Sequence, residues 1–321
     1  MTDRSPVTIG AIRDARKRLG TSILRTPLIP LAGSEDGRRI FLKLDNLQPT
    51  GSFKVRGAGN SIISALERGP VRGVYTTSAG NMAQALAWHA RRLGVPCTTI
   101  VPDTAPKAKL EGIHRYGADV VQLPWDQVWD ITLRGTYAPL QDRLYVPPFN
   151  HPEMNAGNGT CGLEIFEDMP EVDTVFVPIG GGGLIGGVAS ALRDLAPSVR
   201  VIAVEPETAT AFSESLKQGR PSQVTRTPSF VDGSGASSVF PEMWERLNGL
   251  VSESRVVSLA ETAGAIRYLF ERHHVVAEGA AGTAVAAARL DDRSPGTAVA
   301  LVSGGNIDPS ILMTILSGSV P

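Results

Sequence analysis

Cysteine is nearly missing from this chain. Its 321 residues include only Cys97 and Cys161, with no paired spacing that would build a metal site or a disulfide framework, and such usage fits a reducing cytoplasm. Excess charge of either sign is missing too. The 31 Lys+Arg against 32 Asp+Glu leave a net charge of −1, so there is no electrostatic footprint for a polyanion, and neither nucleic acid nor a membrane is an expected partner. A small molecule is the expected ligand. There is no long apolar run: the nearest, residues 174–192, contains six glycines and Pro178 and makes a poor spanning helix. The start, MTDRSPVTIGAIRDARKRLG, carries charges throughout and lacks the apolar core of a signal peptide, so export is not expected. No internal repeat or low-complexity tract occurs. With 42% hydrophobic residues, the chain suits one large globular domain or two, and disordered and fibrous classes are excluded.

Short apolar runs alternate with amphipathic stretches, which predicts an α/β protein with parallel strands joined by helices. The expected strands are Ile40–Leu44, Val71–Thr76, Thr98–Val101, Val120–Leu123, Thr174–Pro178, Val199–Val204 and Ala298–Val302. Met82–Leu93 reads as a helix, with Ala83, Leu86, Ala87, Ala90 and Leu93 on one face. Ligands in such folds collect beyond the C-terminal ends of strands.

Four segments there carry chemistry. In Gly51-Ser-Phe-Lys-Val-Arg-Gly-Ala58 a turn precedes an expected helix start with Ser52 as cap, which places Lys54 in the first turn. The positive end of the helix dipole lowers the pKa of an amine there and favours its nucleophilic form. A solvated surface lysine is the plain alternative, although the chain has only six lysines. Thr76-Thr-Ser-Ala-Gly-Asn-Met-Ala-Gln84 opens a helix whose first amides suit an anion such as a carboxylate, the alternative being an ordinary Ser-capped helix. Gly180–Gly183, after a strand and before a helix, lets amides converge on a phosphate. It is neither a Walker motif nor a dinucleotide fingerprint, and a flexible turn is the bland alternative. Ser303-Gly-Gly-Asn306 again offers a hydroxyl at a strand end.

A nucleophilic lysine, an anion-binding turn and a glycine cradle together suggest pyridoxal phosphate. From Thr26-Pro-Leu28 to Asn306 the chain resembles the fold-type II pyridoxal-phosphate enzymes, within them the threonine/serine dehydratase and serine racemase family. The resemblance implies that Lys54, beside Phe53, is the Schiff-base lysine. It implies that Asn81 bonds the phenolic oxygen, Gly180, Gly181, Gly182, Gly183 and Leu184 hold the phosphate, and Ser303 bonds the pyridine nitrogen. Glu278 matches a family acid near the cofactor, or is a plain helix N-terminal acid. Ser78, Ala79 and Asn81 would receive the substrate carboxylate. The implied architecture has two open, twisted, mostly parallel sheets flanked by helices. A small mobile domain, 72–145, is inserted in a large one, 1–71 and 146–321, and homodimers are usual.

The implied reaction is dehydration of a β-hydroxy amino acid to a 2-oxo acid and ammonia, with Lys54 as base at Cα. Either the phosphate or the Lys54 ammonium protonates the departing oxygen. A racemase or β-replacement enzyme is the alternative, and a silent cofactor-binding protein a third. Several residues depart from the family pattern. Ala79 stands where racemases place a serine, Met82 where dehydratases commonly have histidine, and Asn158, within His151–Thr160, where glutamine is usual. Ala211, six residues after Glu205, replaces an aspartate of the divalent-metal site found in some members, which weakens the case for metal activation. Trp125 and Trp129 share a helical face; core or interface packing is expected, and an enlarged substrate pocket is the alternative. With Met82 they suggest a site that prefers threonine or a larger apolar β-hydroxy amino acid over 3-hydroxyaspartate. The chain ends soon after Asn306, so a regulatory domain and control by isoleucine are not expected.

Overall fold

The computed structural model describes residues 5–33, 38–149, 151–292 and 296–321. The range expected for the large domain also takes in 1–4, 34–37, 150 and 293–295, which lie outside the described residues. The helices are α1 Ile9–Leu19, α2 Lys54–Arg68, α3 Asn81–Leu93, α4 Lys107–His114, α5 Trp125–Arg134, α6 Pro152–Asp168, α7 Gly183–Leu195, α8 Ala211–Gln218, α9 Pro241–Leu247, α10 Leu259–His273, α11 Gly279–Leu290 and α12 Pro309–Leu316. The strands are β1 Leu28–Pro30, β2 Arg38–Leu44, β3 Val74–Thr77, β4 Cys97–Pro102, β5 Asp119–Leu123, β6 Leu144–Tyr145, β7 Thr174–Pro178, β8 Arg200–Pro206, β9 Glu253–Val257 and β10 Gly296–Val302.

One sheet has the order β1-β2-β10-β7-β8-β9, with β1 antiparallel to β2 and the remaining pairs parallel. The other, β5-β4-β3-β6, is parallel throughout. This is the α/β architecture expected, with two mostly parallel sheets flanked by helices. Each of the expected strands is present, though the ends move; residues 71–73 fall outside β3. Expectation missed β1, β6 and β9. The first and last are sheet edges, β1 and β6 have only three and two residues, and β9 opens on the polar Glu-Ser-Arg, so none gives an apolar run of strand length.

Central β7 shows why the others were legible. Val175 and Val177 join the apolar layer of Leu184, Val188 and Leu301, while Phe176 faces the opposite layer of Leu42, Ile202 and Val285. Alternate residues point to opposite faces, and with helices on both the whole strand is buried. The four-stranded sheet has its own apolar layer, including Val74, Leu86, Val101 and Ile113, which also takes in Val55, Ala58 and Ile62 of α2. No described helix is long and apolar enough to cross a membrane.

Candidate active site

Strand ends of both sheets open onto one cavity of about 470 Å³, a size suited to a small molecule. Phe53 and Lys54 reach it from the start of α2, Ser78, Ala79, Asn81 and Met82 from the β3–α3 turn, and Gly180–Gly183 with Leu184 from the β7–α7 turn. Glu278, Ser303 and Asn306 complete that side. All the residues singled out for the site thus line a single cavity.

Backbone ties hold the parts in register. Phe53 N–H donates to the Ser303 carbonyl at 2.9 Å, Gly305 N–H to Gly51 at 2.9 Å, and Glu278 N–H to Gly304 at 3.0 Å. One expectation fails here. The position before α2 is Phe53, without a side-chain cap, whereas Ser52 pairs its backbone with Gly304 as a short bridge. That pairing takes Ser52 out of the capping position, and its buried hydroxyl has no partner.

Lys54 does occupy the first turn of α2. Its half-buried amine donates to the Pro148 carbonyl at 2.7 Å. Burial pulls its pKa down to about 8, opposed by the negative charge of Glu278. Two residues on, Arg56 is fully buried and binds Asp45 at 2.7 Å and Glu164 at 2.7 Å, while buried Lys43 binds the other oxygen of Glu164 at 2.7 Å. Two cations meeting two carboxylates leave this core cluster neutral. A cluster of this kind loses heavily if one member is removed, which fixes the first turn of α2 against the rest of the protein.

The Ser-capped alternative for α3 also fails. Gly80 precedes the helix without a side-chain cap, and the Ser78 hydroxyl accepts instead from Gly80 N–H at 3.2 Å. The start of α3 therefore carries no side-chain cap, and its first residues, Gly80, Asn81 and Met82, line the cavity, as an anion site at a helix N-terminus requires. Asn81 donates its amide to both oxygens of Glu278, at 2.9 and 3.0 Å, and accepts from Asn306 at 2.8 Å. Glu278 is the residue before α11 but does not cap it. Burial pushes its carboxyl up to about 7, with the Asn81 hydrogen bond opposing.

In the glycine loop, Gly182 has φ +85°, a left-handed conformation that favours glycine. A Cβ on Gly181 would lie 2.3 Å from the Phe149 ring. Asn158, where the family pattern has glutamine, donates to the Gly183 carbonyl at 3.1 Å. Ser303 is 1% exposed and its hydroxyl has no partner.

The core-packing part of the expectation for the tryptophans fails at Trp125. Helix α5 buries Val128 and Ile131, not Trp125, which is 62% exposed. Trp125 and Trp129 line the cavity instead. Pro148, Phe149 and Asp232 also line it without having been singled out; for the first two, the available signal is the Pro147-Pro148-Phe149 run just ahead of α6. Glu205 accepts from the backbone N–H groups of Phe212 and Ser213, each at 2.8 Å. It thereby anchors the start of α8. Among the described residues no three His, Cys, Asp or Glu gather in a way that could hold a metal ion.

Known proteins agree with this arrangement over nearly the whole chain. The family described as pyridoxal-phosphate dependent enzyme matches residues 19–304. An L-threonine ammonia-lyase of Thermotoga maritima is 38% identical over 97% of this chain and 78% of its own length. The catabolic L-threonine dehydratase of Escherichia coli K12 is 37% identical over 95% of this chain and 94% of its own. A solved pyridoxal 5'-phosphate-dependent aspartate racemase superposes with a TM-score of 0.87 at 32% identity, covering 96% of this chain and 98% of that one. Since the family match runs from before Lys54 to beyond Ser303, taking in both sheets and the cavity between them, the chain belongs to the pyridoxal-phosphate dependent enzymes.

Proposed function

We propose that this protein is an ammonia-lyase that converts a β-hydroxy amino acid, threonine and serine included, to a 2-oxo acid and ammonia. The observation that carries the reading is the Lys54 amine, held in the cavity and drawn down to about 8 by burial. Two relatives at 37–38% identity, named as a threonine ammonia-lyase and a threonine dehydratase, support the substrate class.

The residues present fit pyridoxal phosphate. The partnerless Ser303 hydroxyl suits the ring nitrogen as a neutral partner, the glycine loop at the head of α7 suits the phosphate, and Lys54 suits the aldehyde. Phe53, whose ring centroid is 5.2 Å from the Lys54 amine, flanks it. Asn81, which donates to Glu278 at the cavity, would be the partner of the phenolic oxygen. When bound, the cofactor supplies an electron sink that acidifies the Cα–H bond of an attached amino acid.

The chain's own groups do the rest. The uncapped amides of α3, with Ser78, Ala79 and Asn81, bind the substrate carboxylate. The Lys54 amine takes the Cα proton. The elements of water leave Cα and Cβ, and one water returns at Cα as ammonia departs, so no oxidant or reductant is consumed. Residues 72–145 act as a small unit closing on the large one, 1–71 and 146–321, to exclude water. Support for that closure is the pairing of Lys109 on α4 with Asp232 at the cavity. A cytoplasmic location is supported by the free, buried Cys97 and Cys161, and a homodimer by the family resemblance.

A racemase needs a second acid/base on the other face of Cα. Ala79 supplies none, and Tyr145, bonded to the cavity residue Thr77 at 2.8 Å, is pushed up to about 12 by burial. The test compares the wild-type holoenzyme with Lys54→Ala on L-threonine. Loss of the cofactor's visible absorbance band and a fall of about 10²–10⁴-fold in 2-oxo acid release are expected. An unchanged band, or D-allo-threonine as the product, overturns the reading.

A further inference from the structure

We propose that the side-chain end of the cavity is built for an aromatic ring, so that β-aryl-β-hydroxy amino acids are substrates, with Trp129 as the specificity-determining residue. This deepens the ammonia-lyase reading and rests on it. Trp125 and Trp129 stack with ring centroids 5.9 Å apart and planes 18° from parallel. Trp129 meets Phe240 at 5.8 Å and Phe240 meets Phe149 at 5.1 Å, both tilted. Phe149 in turn lies against Gly181, so closely that a Cβ there would be 2.3 Å from its ring. A chain of ring contacts therefore runs from the expected phosphate loop to the start of α5; Trp125, Trp129 and Phe149 line the cavity, and Phe240 bridges the last two.

These ring contacts are not explained by folding. The face of α5 that packs into the protein is Val128 and Ile131, and Trp125 leaves most of its indole in water. Exposing a large apolar ring forfeits the gain from burying it, and a ring that lines a ligand cavity recovers that gain when the ligand covers it. Met82 and Val128 line the cavity too, adding flexible and branched apolar surface. The charged groups lining the cavity are of both signs. Lys109 and Asp232 pair with each other, Glu278 contributes an acid, and Arg226 lies on an exposed stretch of chain at the rim. A methyl group, as in threonine, would cover little of these rings, whereas a phenyl ring offers a face and edges that can stack on them.

The test measures kcat/KM of the holoenzyme for L-threo-3-phenylserine, L-threonine, L-serine and 3-hydroxyaspartate. Alongside it, the perturbation of the cofactor's spectrum by L-phenylalanine and by L-alanine reports binding without elimination. Phenylserine is expected to match or exceed threonine, and phenylalanine to bind more tightly than alanine. Trp129→Leu should lower the phenylserine-to-threonine ratio about threefold to tenfold, the worth of one aromatic pair. Trp125→Leu should shift it the same way by less, and serves if the first variant does not fold. Turnover of threonine but not phenylserine, a ratio unchanged in both variants, or a preference for 3-hydroxyaspartate overturns the inference while leaving the ammonia-lyase reading standing. If no hydroxy amino acid releases a 2-oxo acid from the cofactor-loaded protein, the ammonia-lyase reading falls instead. In that case equal binding of phenylalanine and alanine overturns the aromatic site as well.

Discussion

At the scale of single residues, the Lys54 amine and the Glu278 carboxylate influence each other. Burial alone lowers the pKa of Lys54, and the negative charge of Glu278 raises it, with a net value of about 8 against an ordinary 10.5. An amine attacks an aldehyde only when neutral, so the fraction of reactive chains rises with pH and reaches one half near 8. The rate at which the cofactor-free protein captures pyridoxal phosphate should follow that curve in stopped-flow absorbance. Glu278→Gln removes the charge that favours the ammonium, so the midpoint should move below 8. A midpoint near 10.5, or a shift upward in the variant, contradicts the electrostatics described. Lys54 and the glycine loop were legible because each motif lies in one short strand-end turn. Their partners were not. The Lys54 contact to Pro148 spans 94 residues and the Asn81–Glu278 bond spans 197, and no local pattern encodes either.

At the scale of elements, α2 crosses α6 at a point where the chain has no room for a side chain. A Cβ on Gly157 of α6 would lie 2.3 Å from the Arg56 carbonyl oxygen of α2, a backbone atom that cannot swing aside. Gly157→Ala must therefore push the two helices apart, at a cost of about 1–3 kcal/mol in urea unfolding. Because α2 begins with Lys54, the variant should also bind cofactor more weakly. Gly264, on the exposed side of α10, provides the opposite case: nothing lies within 4 Å of an added Cβ. Gly264→Ala should stabilise by about 0.5–1 kcal/mol through helix propensity. Equal effects at the two positions would refute the crossing argument. Helix α5 shows the limit of periodicity at this scale. Spacing put Trp125 and Trp129 on one face, but which face is turned to the cavity depends on Val128 and Ile131 finding the apolar layer of Tyr75 and Ile100.

At the scale of the whole molecule, the two sheets are joined unequally. The larger sheet is covered on both faces by apolar layers that share strand β7. The smaller one meets the rest through α2 and α3, where His89 contacts the Val55 carbonyl at 2.8 Å, and through groups that line the cavity. One of these ties, Lys109–Asp232, has side chains 41% and 57% exposed, and such a pair contributes only about 0–1 kcal/mol. A cofactor held from both sides would thus supply much of the attachment. At a hundredfold excess over Kd a ligand adds about 2.7 kcal/mol, so removing pyridoxal phosphate from a chain of 321 residues should lower Tm by roughly 4 °C. The loss should be uneven. In hydrogen exchange, amides of β3, β4 and α3 should lose more protection than those of β7, β8 and β10, because only the former depend on contacts across the cavity. Uniform loosening of both sheets would mean that they open as one body, and would remove the basis for treating residues 72–145 as a separate closing unit.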